Sequence, residues 1–249
     1  MSNERENAHS RPRLVAILLA SFIGFLAGQL VASLLESLGA TLAHFRGGLS
    51  ALVALTVPPW WANVLGLVGL WIGFSGAIAY AYGPGGLRPL ANQWRFRPSD
   101  VGYLVLGPLL QLGVDLAYRP FHLRHLDQPV KHLFNGSRGA TFVLVGVLTT
   151  VVAPFFEEWF FRGVIYRALA EGLEVRSSRL AVIVATIGSA ALFAAAHGEP
   201  AQFAGLFVLG VVLATLVWRT RRLTPSVLTH ASFNAAAFVA VVAQRAGHG

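Results

Sequence analysis

Residues 140–169 read ATFVLVGVLTTVVAPFFEEWFFRGVIYRAL, a stretch long and apolar enough to cross a bilayer as one helix. Its second half nevertheless contains two adjacent acids, Glu157 and Glu158, and the cation Arg162. A charged side chain at membrane depth costs about 2.5–3.5 kcal/mol on insertion scales, so its presence indicates a function. Pro154 is expected to bend this helix just before the acids. The stretch therefore predicts a functional centre inside a membrane.

The composition of the whole chain is that of a membrane protein. Of its 249 residues, 55% are hydrophobic and only 12% are charged, whereas a soluble domain carries about 25% charged residues. At roughly 20 residues for each span, the length allows about seven spans with their loops. The sequence predicts an all-α, polytopic transmembrane helix bundle of about seven or eight spans, forming one membrane domain.

Seven apolar stretches are long enough to be spans. We place them at residues 14–38, 61–82, 101–118, 140–169, 180–197, 201–218 and 225–242. Residues 41–59 are interpreted as a partial or interfacial helix, which is why eight is allowed. Three regions follow from this division, and they are a polar tail at residues 1–13, N-terminal spans with a basic loop at 14–139, and a helical core at 140–243.

The charge of the chain points to lipid headgroups as its partner. Its formal net charge is +8, but the cations are spread over loop ends, which favours the lipid bilayer over nucleic acid. The distribution of lysine and arginine predicts a cytoplasmic N-terminus, although the basic loop 119–139 is then assigned outside. Cysteine is absent, which excludes disulfides and a thiolate nucleophile.

Two further polar motifs occur in later apolar stretches. Phe193 and His197 lie four residues apart near the end of one span, and His230 and Asn234 lie four apart in the last span. Residues four apart share a helix face. Either pair alone is consistent with helix packing. Straight spans would also place the two histidines at depths that differ by more than about 10 Å.

Glu158 and Arg162 are also four residues apart, and a buried arginine needs a carboxylate partner. We therefore expect these two to pair, which leaves Glu157, about 100° around the helix, to face a different partner. A salt bridge that only fixes helix packing would explain Glu158 and Arg162 but not the second acid.

Together the three motifs supply the groups that amide hydrolysis requires. A buried carboxylate can take a proton from water, and histidine and asparagine side chains can stabilise an oxyanion. A carboxylate with two imidazoles is also a zinc ligand set, so a metal site remains an alternative. A proton relay in a transporter is a third interpretation, which the absence of a visible internal repeat disfavours.

In this order, the three motifs resemble the CAAX protease and bacteriocin-processing family of intramembrane proteases (the CPBP, or Abi, family), which includes the type II CAAX prenyl endopeptidases. The resemblance covers roughly residues 140–242. It implies an intramembrane endopeptidase that acts on a peptide or protein substrate, which is prenylated or membrane-embedded in the family's best-known cases. The alternative from another class is a non-enzymatic bacteriocin-immunity or membrane scaffold protein.

The resemblance also implies roles for particular residues. Glu157 and His197 would activate water, and His230 and Asn234 would form the oxyanion site, without a cofactor. Because the family is widely described as metal-dependent, Zn²⁺ held by Glu157, His197 and His230 is the alternative. Three residues would support the site, and they are Glu158, Arg162 and Phe193.

Other polar residues are interpreted more simply. Gln111 and Asp115 are four apart on the third span and are expected to pack at a helix interface, with a position on a cavity wall as the alternative. His122, His125 and His132 share the basic loop, where a solvated loop is the favoured interpretation and a metal site is the alternative.

Overall fold

The computed structural model describes residues 2–84, 86–90, 92–122, 126–172 and 178–247, and within these ranges it contains helices and loops but no β-strand. The helices follow one another as α1 (Ser2–Leu42), α2 (Gly48–Val53), α3 (Trp60–Ala81), α4 (Tyr103–Tyr118), α5 (Gln128–Leu133), α6 (Ala140–Val147), α7 (Ala153–Glu158), α8 (Arg167–Gly172), α9 (Ser178–Ala196), α10 (Phe203–Thr220) and α11 (Thr224–Ala246). The all-α prediction is therefore confirmed.

Seven helical segments in the described part of the chain are long and apolar enough to cross a membrane. They are Arg13–Leu42, Trp60–Ala81, Pro98–Phe121, Ala140–Gly172, Arg179–Ala196, Pro200–Thr220 and Thr224–Ala246. Each overlaps one predicted span, and the chain is an integral, multi-pass membrane protein. The segment that had suggested an eighth span contains only α2, which has six residues and is too short to cross.

The first two spans pack backbone against backbone. A Cβ atom on Gly69 of α3 would lie 2.8 Å from the Cβ of Ala32, and one on Gly73 would lie 2.6 Å from the Cα of Gly28. Small residues are what let membrane helices approach this closely, because lipid offers no hydrophobic drive for association. Helices α1 and α3 thus form a tight hairpin.

Aromatic side chains join this hairpin to the acid-bearing helix. Phe74 of α3 stacks on Phe160 with ring centroids 4.0 Å apart, and Trp71 stacks on Phe156 at 5.3 Å. Large rings of this kind contribute most of the buried area in a core. The stacking fixes α7 and its two acids in the centre of the bundle.

The two ends of the bundle differ in which connections they hold. At one end, called the loop face here, the α1–α3, α4–α6 and α9–α10 connections meet. There the Trp60 amide donates to the Asn135 carbonyl at 2.9 Å, and the Gln202 side chain donates to the Leu126 carbonyl at 2.6 Å. These bonds close one end of the bundle around α11, which also ends there.

The opposite end is called the N-terminal face, because the first span begins there. Leu14 of α1 lies beside the end of α8, where a Cβ on Gly172 would come within 2.7 Å of the Leu14 Cβ. The amide of Leu223, just before α11, donates to the Gln93 carbonyl at 2.8 Å. The α3–α4 and α10–α11 connections therefore share this face with the end of α8.

Candidate active site

The acid-bearing helix is irregular on both sides of the acids. Two π-helical segments, Leu148–Val152 and Trp159–Tyr166, flank α7. In the first of them the amide of Ala153 donates to the Leu148 carbonyl, five residues back. The next residue, Pro154, has no amide proton to donate. The irregularity expected at Pro154 is thus a π-helical turn, a form often found at functional sites.

This local geometry explains the position of Asn234. With the Ala153 amide bonded elsewhere and Pro154 lacking one, the Thr149 carbonyl has lost both of its backbone donors. The Asn234 side-chain amide donates to that carbonyl at 3.0 Å. An unsatisfied carbonyl at membrane depth costs several kcal/mol, so this bond holds α11 against α6 and α7. Asn234 also lines a cavity.

The predicted pair of Glu158 and Arg162 is present at the centre of the bundle. Arg162 Nη1 lies 2.9 Å from Glu158 Oε1, and both side chains are 0% exposed. Arg162 also donates to the Gly210 carbonyl at 3.2 Å and lies 4.4 Å from the centroid of the Phe193 ring. Bonds to α10 and α9 therefore make this guanidinium a junction between three spans.

Glu158 also holds a histidine and a serine of α11. Its Oε1 lies 3.0 Å from His230 Nδ1, and its Oε2 accepts a hydrogen bond from Ser226. Because a carboxylate accepts, the hydrogen-bond network assigns a proton to His230 Nδ1. The other ring nitrogen, Nε2, then points away from Glu158 and lies 3.7 Å from Glu157 Oε2.

Glu157 differs sharply from its neighbour. Its side chain is 14% exposed and lines a cavity, whereas Glu158 is enclosed. The Oε2 atom of Glu157 is buried and forms no hydrogen bond within the described residues. Buried carboxylate oxygens are normally satisfied, so Glu157 lines the cavity with hydrogen-bonding capacity that the described residues do not use.

The cavity has a volume of about 730 Å³ and extends from Glu157 to the loop face. Its wall includes the four residues to which the sequence assigned chemistry, namely Glu157, His197, His230 and Asn234. Gln111 and Asp115 also line it and bond to each other at 3.0 Å, so they are wall residues rather than interface packing. Near its mouth, a hydrogen bond from Lys131, whose Nζ lies 2.5 Å away, lowers the pKa of Asp127.

Phe193 connects the two histidines. Its ring lies 4.6 Å from the His197 ring and 5.4 Å from the His230 ring, centroid to centroid, and it is fully buried. The Phe193 carbonyl also bonds His197 Nδ1 at 2.8 Å, which leaves His197 Nε2 for other partners. Straight spans would have placed His197 and His230 at different depths, but in the structure both rings contact the Phe193 ring.

A family model described as Rce1-like type II CAAX prenyl endopeptidase matches residues 139–236. Residues 139–236 therefore form a domain of the CAAX protease (CPBP) family. The matched segment contains all seven residues singled out from the sequence, whereas the N-terminal spans lie outside it. Neither the curated proteins nor the solved structures contain a match to the chain. The match indicates a peptidase.

The CPBP site has suitable donors for zinc but not a suitable arrangement. A glutamate and two histidines with free Nε2 atoms are ordinary zinc ligands. However, no three His, Asp or Glu side chains in the described ranges are grouped so that they could hold one ion. The residues present therefore do not fit a metal ion in this arrangement. In the basic loop, His122 and His132 belong to no such group either, and His125 lies outside the described residues.

Three residues of this CPBP site were missed in the sequence. Ser226 was detectable, since it lies four residues before His230 and eight before Asn234 and so extends the same polar stripe on α11. Thr149 was not, because its role depends on a carbonyl freed by local helix geometry. The Tyr82 hydroxyl likewise donates to the Gly163 carbonyl, at 2.8 Å, inside the second π-helical segment.

Proposed function

We propose that the protein is an intramembrane endopeptidase in which Glu157 activates the attacking water. The observation that carries this proposal is the pairing of two adjacent glutamates with different surroundings. Glu158 is fully occupied by Arg162, Ser226 and His230, whereas Glu157 lines the cavity and has one oxygen without a hydrogen bond among the described residues. A base must be within reach of its proton, and only Glu157 meets that condition.

The reaction would proceed by addition of water to the scissile carbonyl carbon. Glu157 takes one proton from the water as its oxygen bonds to carbon, assisted by His197 through its free Nε2. The carbon–nitrogen bond then breaks, and the proton passes from Glu157 to the leaving nitrogen. The products are a new carboxyl group and a free amine, so no oxidant or reductant is needed.

His230 and Asn234 would stabilise the oxyanion of the tetrahedral intermediate. Glu158 holds His230 Nδ1, and His230 would turn its Nε2 toward the oxyanion. The Asn234 amide uses one hydrogen for Thr149 and keeps the second for the substrate.

The substrate is proposed to be a peptide or protein that enters from the loop face. Phe161, Phe233 and Phe238 line the cavity together with its polar residues, so an apolar segment or a lipid-modified terminus would be accommodated. A prenylated C-terminal motif is the substrate class that the family description names. Because aromatic walls bind apolar groups generally, other small membrane peptides fit the same chemistry.

The test is the profile of peptide termini in membranes of cells that express the wild type or Glu157→Gln at equal levels. Glu171→Gln is a matched control, since Glu171 is 52% exposed and lies outside the cavity. New termini present in the wild type and control but absent in Glu157→Gln support the peptidase and identify its substrate. Identical profiles from folded proteins would instead favour a scaffold or immunity protein.

A chelator distinguishes the metal-free mechanism from the zinc alternative. We expect the cleavage rate of the purified protein to be unchanged after treatment with a strong zinc chelator and dialysis. Loss of activity that added Zn²⁺ restores would contradict the proposal and assign Glu157, His197 and His230 as ligands. Bound metal should be measured in the same samples by elemental analysis.

We also propose that the N-terminus is cytoplasmic, as the loop charges indicate. Because the chain has no cysteine, single cysteines can be introduced and labelled without a background signal. Ser2→Cys should react only with reagents that reach the cytoplasm, and Arg138→Cys only with external ones. The reverse pattern would contradict the proposed orientation.

A further inference from the structure

A second cavity lies on the N-terminal face, far from the site described above. It has a volume of about 630 Å³ and is lined by Arg97, Arg219 and Arg222, with Ser99, Asp100 and Tyr103 among its other wall residues. None of these side chains contributes to the proposed reaction. We propose that this cavity, called the arginine pocket here, binds the phosphate group of an anionic phospholipid.

The charges of the arginine pocket are not balanced by its own residues. Asp100 is the only carboxylate among the described lining residues, and it is buried. Arg222 binds both of its oxygens, at 2.5 and 2.8 Å, and the Arg97 amide binds Oδ2 at 2.8 Å. Asp100 is therefore committed to Arg222, and its hydrogen bond raises the pKa of that guanidinium.

The other two guanidinium groups have no such partner. Arg97 and Arg219 have exposed side chains and form no ion pair with any described residue. Arg219 has only a distant contact with the neighbouring Trp218 ring, at 5.9 Å. Arg97 and Arg219 line the same pocket, and a guanidinium group suits a phosphate because it can bind one through two parallel hydrogen bonds.

The depth of the pocket indicates a lipid rather than a soluble phosphate. It lies where one membrane segment begins at Pro98 and another ends at Thr220, which is the level of the headgroups. Beyond the pocket, α4 presents an apolar surface along the membrane, where Val105 and Leu109 are 61% and 58% exposed. A phospholipid can place its phosphate on the arginines and lay its acyl chains along this surface.

Lipid binding here would act on α11. Arg222 lies two residues before α11 and also donates to the Arg95 carbonyl at 2.9 Å, so it ties the start of α11 to the α3–α4 connection. Ser226 and His230 lie one and two turns further along the same helix. A phosphate on the arginine pocket would thus hold the end of the helix that carries half of the candidate active site.

The test measures lipid retention by native mass spectrometry of the full-length protein in detergent. Phosphatidylglycerol and phosphatidylcholine are titrated separately against the wild type and against Arg97→Gln with Arg219→Gln. We expect the double variant to bind phosphatidylglycerol about thirty-fold more weakly. Each arginine at a membrane surface contributes about 1 kcal/mol to the attraction of anionic lipid, and the loss of two corresponds to this factor. Arg222 is left intact because its pairing with Asp100 is structural.

Two matched controls accompany this measurement. Arg88→Gln with Arg179→Gln removes two exposed cations from the same face but outside the pocket, and should retain wild-type affinity. Arg97→Lys with Arg219→Lys keeps the charge but loses the two parallel hydrogen bonds, so its affinity should lie between those of the wild type and the Gln variant. The heat stability of the wild type and of the pocket variant is also measured in inorganic phosphate. If phosphate protects the wild type but not the variant that lacks Arg97 and Arg219, the site binds free phosphate instead of lipid. Equal binding of phosphatidylglycerol by the pocket and control variants, without phosphate protection, overturns the proposal.

Discussion

The buried pair of Glu158 and Arg162 gives a prediction of large magnitude. Both side chains are 0% exposed, so Arg162→Met leaves a carboxylate in the core without its counter-charge. Removal of one partner of a buried pair costs about 3–5 kcal/mol. Glu158→Gln should cost a similar amount, because the guanidinium is then left unpaired while Ser226 and His230 keep a neutral acceptor.

The combined variant Glu158→Gln/Arg162→Met should be more stable than either single variant. It contains neither uncompensated charge, and replacement of buried pairs by uncharged groups is often neutral. The double-mutant cycle should therefore give a coupling free energy of at least about 3 kcal/mol. Activity should not return, because His230 would still lack the carboxylate that orients it.

The assay is denaturant unfolding of the protein in detergent, followed by the fluorescence of its six tryptophans. Unfolding must be reversible, and the transition followed by fluorescence must coincide with that followed by circular dichroism. The free energies of unfolding of the variants can then be compared. If the costs of the two single variants simply add, within about 0.5 kcal/mol, the pair is not coupled and the reasoning is refuted.

Three further predictions follow from other parts of the fold. Ser226→Ala removes a hydroxyl that donates to the Glu158 carboxylate, which should destabilise by about 1.5–3 kcal/mol and lower kcat more than it raises KM; an unchanged unfolding midpoint would contradict this. Gly73→Ala should destabilise by about 1–3 kcal/mol, since its Cβ enters the backbone of α1, whereas Gly76→Ala meets nothing within 4 Å and should be neutral in the same thermal scan. Asp100→Asn leaves a buried guanidinium unpaired and should lower the free energy of unfolding by about 3–5 kcal/mol. The variant should therefore unfold at a lower denaturant concentration than the wild type.

Most of the fold could be predicted because a membrane imposes a simple length rule. All seven spans were found from apolar stretches, with ends displaced by a few residues. The exception was the segment around α2, where an apolar composition without sufficient length left two interpretations open. The positions of helices relative to one another were not predictable, because they depend on contacts such as that between Gly73 and the α1 backbone.

The candidate site was predictable where residues share a helix. The spacing of four between Glu158 and Arg162 was sufficient to pair them, and the structure pairs them. Contacts between helices gave no such signal. The bond from Ser226 to Glu158 joins residues 68 positions apart, and that from Asn234 to Thr149 depends on a proline one turn away from the acceptor. The catalytic roles of Glu157 and the two histidines stay predictions.

An odd number of crossings has a practical consequence for this enzyme. The amino terminus and the mouth of the cavity lie at opposite ends of the bundle, so they face different compartments. With a cytoplasmic amino terminus, substrate would arrive from the external side. A fusion partner attached before Ser2 would stand clear of arriving peptides, whereas one attached after Ala246 would sit at the rim that Gln244 helps to form. Fusion at the two ends of the chain would therefore give an inhibited and an unhindered form of the same protein.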